Sequence, residues 1–369
     1  MSEKTKTILN SEKDVTSNAE EFYRNYWIES DDVRKASGIK KRAILDKFFP
    51  EGLAGEKILE IGVGGEGGVL LELMHNNEIH GMDVSDSAIN NSRRLGINVI
   101  KANLDRDSIP FQEDCFDVVF AFEVFEHFAN PQHALEEIWR VLKPGGIFIC
   151  SIPSTFTHHW PRIFYAVLFE LENFKEFLMI NKFRVTCLND WMMSNCYSRY
   201  NVKPTVKSWS WFFHAVKLGP TDSQDYFEIG RYFWEKRNKL GIRTRPVEAV
   251  DMFRKSYELA TDDDTSMLFF AHSLVYRLVN NDSKEFNVLQ DLIYERLKSP
   301  DGKNKTEFLA RILLIDVEAR RLGFNILSPN EYEMLKLQLG QADGAISYSS
   351  AIYLEEAINQ RLTTLSDPL

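Results

Sequence analysis

Lys57-Ile58-Leu59-Glu60-Ile61 is a short apolar run that passes directly into Gly62-Val63-Gly64-Gly65-Glu66-Gly67-Gly68. A turn so rich in glycine suits a ligand that must lie against the main chain. Without Cβ atoms the backbone takes positive φ and leaves room for close approach, and amides at the start of the following helix face the ligand. Gly62, Gly64 and Gly67 satisfy G-x-G-x-x-G, and Asp83 closes the next apolar run, Ile79 to Met82. A carboxylate at that place accepts ribose hydroxyls; its other use is as a helix N-cap. These residues point to an adenosine-bearing cofactor without separating a dinucleotide from any other; a glycine-rich turn that binds no ligand is the other reading.

Elements that would carry such a turn alternate through the first part of the chain. Strands are expected at 57–61, 78–82, 97–101, 116–121 and 146–152, separated by helical segments, which indicates a parallel sheet covered on both faces. Phe174 to Ile180 reads as a helix, Phe183 to Leu188 as a sixth strand and Trp211 to Leu218 as a seventh. Gly219-Pro220 marks a boundary, because helical periodicity replaces strand signals beyond it. Helices are expected over 265–280, 284–298, 304–322, 329–339 and 345–364. Gly230, Phe233, Ala249, Phe253 and Tyr257 fall at spacings like the small and aromatic positions of a tetratricopeptide repeat, so the helices pair into a short solenoid or an irregular bundle. The expected organisation is an N-terminal helical extension or cap over 1–50, an α/β domain over 51–218 and an all-helical, tetratricopeptide-like domain over 219–369.

Further segments follow the glycine turn in a fixed order: Ile109-Pro110-Phe111, Cys115-Phe116-Asp117-Val118-Val119, Glu123-Val124-Phe125-Glu126-His127 and Leu142-Lys143-Pro144-Gly145-Gly146. In this order and spacing, residues 55–155 resemble the class I S-adenosylmethionine-dependent methyltransferases, especially those that act on small metabolites and sugars. The resemblance implies a doubly wound, Rossmann-like sheet of seven strands, with S-adenosylmethionine across the carboxyl ends of the first two. Glu60 would accept a hydrogen bond from the cofactor's ammonium, a charge-assisted contact, and Val84 would pack on adenine. The resemblance also places the adenine amino group at Asn103-Leu104-Asp105, where either Asn103, through its amide oxygen, or Asp105 is the acceptor. Glu66 departs from the pattern: it stands where the family has its third glycine, and Gly67 follows one residue late. The loop is expected to absorb that shift.

Glu123-x-x-Glu126-His127 resembles the metal-binding motif of ubiquinone-pathway O-methyltransferases and of small-RNA 2′-O-methyltransferases. The resemblance implies that Glu123, Glu126 and His127 hold a divalent cation, and oxygen ligands with one imidazole would suit Mg²⁺. The alternative is that His127 lines the acceptor pocket without metal or serves as a base. His158 or His159 could supply a further ligand or a general base, since an imidazole titrates near neutrality; a surface histidine pair is the other reading. Arg162 would clamp an anionic acceptor or form a structural ion pair. The aromatics from Trp160 to Trp211 would form an acceptor lid or belong to the core.

Composition narrows the partners. A net charge of −10 over 369 residues argues against a broad phosphate-binding face, because nonspecific nucleic-acid affinity comes mainly from Lys and Arg. No apolar run approaches a membrane span, and a cytoplasmic location is expected. Cys115, Cys150, Cys187 and Cys196 form no CxxC and read as reduced thiols. The expected activity is O-methylation of a sugar, glycan precursor or other small polar metabolite, with the helical domain offering a face for a protein partner or for self-association. An RNA 2′-O-methyltransferase, a nicotinamide dehydrogenase and a non-catalytic scaffold are the alternatives.

Overall fold

The computed structural model describes residues 42–153, 171–188, 210–239, 247–277, 282–298 and 326–340, with scattered positions from 309 to 320. The chain divides into two compact units, Met1–Gly219 and Pro220–Leu369. The first contains β1 (Lys57–Ile61), β2 (Glu78–Asp83), β3 (Val99–Lys101), β4 (Phe116–Phe122), β5 (Leu142–Pro153), β6 (Phe183–Leu188) and β7 (Ser210–Lys217). They form one sheet in the order β3-β2-β1-β4-β5-β7-β6. β7 runs antiparallel to both neighbours, and the other pairings are parallel. The order reverses between β1 and β4, so their carboxyl ends flank the crevice where open α/β sheets bind ligands.

Side chains alternate across each strand, and both faces of β1 are covered. Ile58 joins Val69, Leu70, Val99 and Val118 in one apolar layer, and Leu59 and Ile61 join Leu135, Ile138 and Phe148 in the other. Burial on both faces is why the strand reads as a continuous apolar run rather than an alternating one. A helix over 42–48 adds Ala43, Ile44 and Leu45 to the core. The remaining helices of this unit are α1 (Leu70–Leu73), α2 (Asp86–Arg94), α3 (Pro131–Val141) and α4 (Leu171–Ile180). Ser85 starts α2 by accepting from Ala88 N at 3.4 Å. Asn130 starts α3 by accepting from His133 N at 3.3 Å, with Pro131 in the first turn. Both are capping residues that satisfy amides the helix itself leaves without partners.

Lys143 to Gly146 form an irregularity within β5. Phe116 pairs with Leu142 while Val118 pairs with Ile147, so the intervening residues bulge out of the ladder. Gly145 takes φ +78°, and a Cβ on Gly146 would lie 2.8 Å from the Lys143 carbonyl oxygen. Extra residues on one strand require such conformations.

The second unit contains α5 (Ser223–Lys239), α6 (Val247–Leu259), α7 (Asp264–Arg277), α8 (Asp282–Lys298) and α9 (Pro329–Gly340). Gly230 lets α5 approach α6: a Cβ there would meet the Phe253 ring at 2.7 Å. Phe269 closes the cluster, 5.0 Å from Phe227 and 5.1 Å from Phe253 between ring centroids. Buried Asp316 accepts from Ile326 N and Leu327 N at 2.9 and 2.8 Å and pairs with Arg320 at 2.6 Å. The rest of the expected extension over 1–50 and the helix expected over 345–364 lie outside the described residues. No described helix is long and apolar enough to cross a membrane.

Candidate functional site

The glycine turn leaves β1 at the crevice, and the amides of its first three residues are bound internally. Gly62 N and Val63 N donate to the Met82 carbonyl at 2.8 and 3.3 Å, and Gly64 N donates to Asp83 Oδ2 at 2.9 Å. Glu60 is buried at the end of β1, where its Oε2 accepts from Val69 N at 2.8 Å and Leu70 N at 3.3 Å. Those two amides open α1, so the helix-start donors expected to face a ligand are directed at Glu60. One turn of helix has few free donors, and a carboxylate at its start satisfies two of them. Gly62, Gly64, Gly67 and Gly68 all take positive φ, at +72°, +67°, +79° and +59°. The last two are consecutive and follow Glu66 directly.

Asp83 ends β2 beside this turn. Its Oδ1 accepts from Ser85 N at 2.8 Å, and its Oδ2 holds Gly64. The carboxylate thus ties the glycine turn to the second strand, and each of its oxygens has a further lone pair. Burial pushes its pKa above the ordinary aspartate range, against the opposing effect of backbone amides at Ser85, Gly64 and Val84. Val84 beside it is partly exposed. Asn103 Oδ1 accepts from Asp105 N at 3.0 Å, and Asp105 Oδ1 accepts from Asn130 N at 2.9 Å. Both side chains therefore shape the loop after β3, and Leu104 is buried in the core.

After β4 the chain turns through Glu123 into a 3-10 turn at Phe125–His127. Glu123 is one of three described non-glycine residues with positive φ, at +55°. Its amide donates to the Ser151 carbonyl at 3.0 Å, and its Oε1 accepts from Ser151 Oγ at 2.9 Å. Glu126 is fully buried, and its Oε1 lies 3.6 Å from Nε2 of the partly exposed His127. Glu126 and His127 thus form a pair, whereas Glu123 turns to β5. Among the described residues no three His, Cys, Asp or Glu side chains are gathered to hold a metal ion, so Glu123, Glu126 and His127 do not assemble as the expected Mg²⁺ triad. The physical reason is local: three donors on one short turn cannot converge when the first is bound to the neighbouring strand. His158, His159, Arg162 and most of the aromatic segment lie outside the described residues.

Residues 59–150 match the methyltransferase domain family. This segment is a class I S-adenosylmethionine-dependent methyltransferase domain. Relatives include the ubiquinone biosynthesis O-methyltransferase of Maricaulis maris (strain MCS10), 35% identical over 31% of this chain and 48% of that protein. Another is the phthiotriol/phenolphthiotriol dimycocerosates methyltransferase of Mycobacterium tuberculosis (strain ATCC 25177 / H37Ra), 30% identical over 26% of this chain and 37% of that protein. A solved S-adenosylmethionine-dependent methyltransferase from Mesorhizobium loti aligns over 48% of this chain and 98% of its own, with 16% identity and a TM-score of 0.39. The chain spans about half or less of the length of these curated relatives.

The methyltransferase domain offers donors and acceptors that fit its cofactor. A carboxylate, Asp83, stands beside the partly exposed apolar Val84, next to a turn with left-handed glycines at 62, 64, 67 and 68. Residues not anticipated from sequence complete the frame. Ser92 Oγ donates to the Gly64 carbonyl at 2.8 Å, Ser151 holds Glu123, and Val124 occupies the space where Gly62 would carry a Cβ. Only the glycine at 62 hinted at the last contact, since absence of a side chain implies close approach without naming the neighbour.

Proposed function

We propose that the chain transfers a methyl group from S-adenosylmethionine to a hydroxyl of a small polar acceptor, a sugar or glycan precursor. The observation that carries this reading is the juxtaposition at one sheet edge of the Gly62–Gly68 turn tied to Asp83 and the Glu126–His127 pair after β4. The methylated sulfonium supplies a strong electrophile when bound. The protein's own part is to hold the cofactor, to align an acceptor oxygen and to remove its proton.

In this reading Asp83 orients the ribose, and Glu60 keeps the turn in shape from beneath. His127 takes the hydroxyl proton, with Glu126 Oε1 3.6 Å from its Nε2 to hold the ring in place. Transfer to oxygen is supported by relatives such as the Maricaulis maris ubiquinone biosynthesis O-methyltransferase. The methyltransferase match favours S-adenosylmethionine over a nicotinamide cofactor. The helical unit is assigned the role of recruiting the acceptor or a protein partner.

The test is methyl transfer from labelled S-adenosylmethionine to nucleotide sugars, glycans and quinol precursors. Label in a hydroxyl of a sugar-bearing acceptor, lost in His127→Ala, is the expected result. Label confined to quinol precursors would overturn the sugar assignment, and no transfer to any of the three classes by a chain that binds the cofactor would favour a scaffold.

A further inference from the structure

Ser151 is fully buried on β5, in register with Phe122 at the end of β4. It meets Glu123 three times: its carbonyl and its Oγ both accept from Glu123 N, at 3.0 and 3.2 Å, and its Oγ donates to Glu123 Oε1 at 2.9 Å. Glu123 is held there at φ +55°, a conformation that disfavours any residue with a Cβ and persists where surrounding contacts over-determine it. The next residue, Val124, places Cγ2 in the space above Gly62, and its carbonyl accepts from His127 N at 3.0 Å. One latch therefore fixes, on one side, the packing of the cofactor turn and, on the other, the turn that bears Glu126 and His127.

We propose that Glu123 and Ser151 are positioning residues that set the cofactor turn through the contact of Val124 on Gly62, and that the first carboxylate of E-x-x-E-H acts as a latch rather than as a ligand. The inference rests on the methyltransferase reading. Ser151→Ala deletes the hydroxyl that both holds the carboxylate and receives the amide; Val124→Ala deletes the contact it serves. If the latch works through Val124, each variant weakens binding of S-adenosylhomocysteine by about 2- to 10-fold, the range of one ordinary hydrogen bond or a few methyl contacts. The double variant then weakens binding no more than the worse single one, because residues acting in series are non-additive.

Calorimetric titration of the full chain with S-adenosylhomocysteine reads this directly, with thermal unfolding in parallel. Ser151→Thr keeps the hydroxyl and restores affinity, an outcome a general loss of packing would not produce. Unchanged affinity in Ser151→Ala, or losses that add in the double variant, overturns the latch while leaving the methyltransferase reading intact. A wild-type chain that fails to bind S-adenosylhomocysteine overturns the reading, and the latch with it.

Discussion

Replacing Gly68 with alanine tests whether the Glu60 carboxylate holds the cofactor turn closed. A Cβ built at Gly68 overlaps that carboxylate, with Oε1 at 2.6 Å and Oε2 and Cδ closer still. The carboxylate must then move away from Val69 N and Leu70 N, which it holds at 2.8 and 3.3 Å. Left-handed backbone alone costs a residue with a Cβ roughly 1–2 kcal/mol. Gly55→Ala isolates that part, because Gly55 has φ +79° and nothing within 4 Å of its added Cβ. Losing one good and one long hydrogen bond to a carboxylate adds about 2–4 kcal/mol. For a unit of this size each kcal/mol lowers the melting temperature by roughly 2–4 °C, so Gly68→Ala should melt about 4–16 °C below Gly55→Ala. Thermal unfolding followed by circular dichroism makes the comparison, and calorimetry should show Gly68→Ala alone losing S-adenosylhomocysteine affinity. Equal melting of the two variants would refute the role given to Glu60.

Asp83 makes a prediction in pH. Its pKa is raised by burial, so its contribution to stability is full below the unfolded value and is lost as pH rises through the raised folded value. Ribose binding needs the ionised form and runs the other way: affinity should fall by up to about tenfold per pH unit as pH drops below the folded value, a dependence that Asp83→Asn should flatten in calorimetry. Gly230→Ala should destabilise the helical unit by roughly 1–3 kcal/mol through overpacking on Phe253, read by urea unfolding of the full chain. Asp316→Ala leaves two buried amides without their acceptor and removes the carboxylate from Arg320, which keeps the Leu327 carbonyl, and should cost about 2–4 kcal/mol in the same experiment; a loss below about 1 kcal/mol would contradict the burial described. Because Glu123 is turned to Ser151, Mg²⁺ titration should leave the melting temperature of the chain unchanged, and a saturable rise would show that the donors regroup.

The strands were legible because both-faced burial writes itself as apolar runs. β1, β2, β4, β6 and β7 fall within a residue or so of their expected bounds. β3 is shorter, since the residues before Val99 meet β2 only through a single bond from Gly81 N to the Asn98 carbonyl. β5 begins earlier, because Leu142 pairs before the bulge and the turn residues Pro144 and Gly145 mask it. Asp83 beside the glycine turn was equally readable, as the chain spacing that joins them is local. The Ser151–Glu123 contact was not: it joins residues from separate strands, and a serine inside an apolar run carries no mark of the partner it will meet. The same holds for Glu60, whose partners follow the turn and depend on how far its glycines bend back.

The internal satisfaction of the glycine turn has a consequence for how ligand binding proceeds. The amides of Gly62, Val63, Gly64, Val69 and Leu70 all have acceptors within the protein, and buried main-chain donors without acceptors would otherwise drive the turn into other shapes. The entry to the turn and the start of α1 are therefore preorganised: their shape is fixed by contacts made within the protein. Association is relieved of the entropy of ordering a loop, so affinity is set by what the ligand itself meets, and the empty turn should resist proteolysis as well as the filled one.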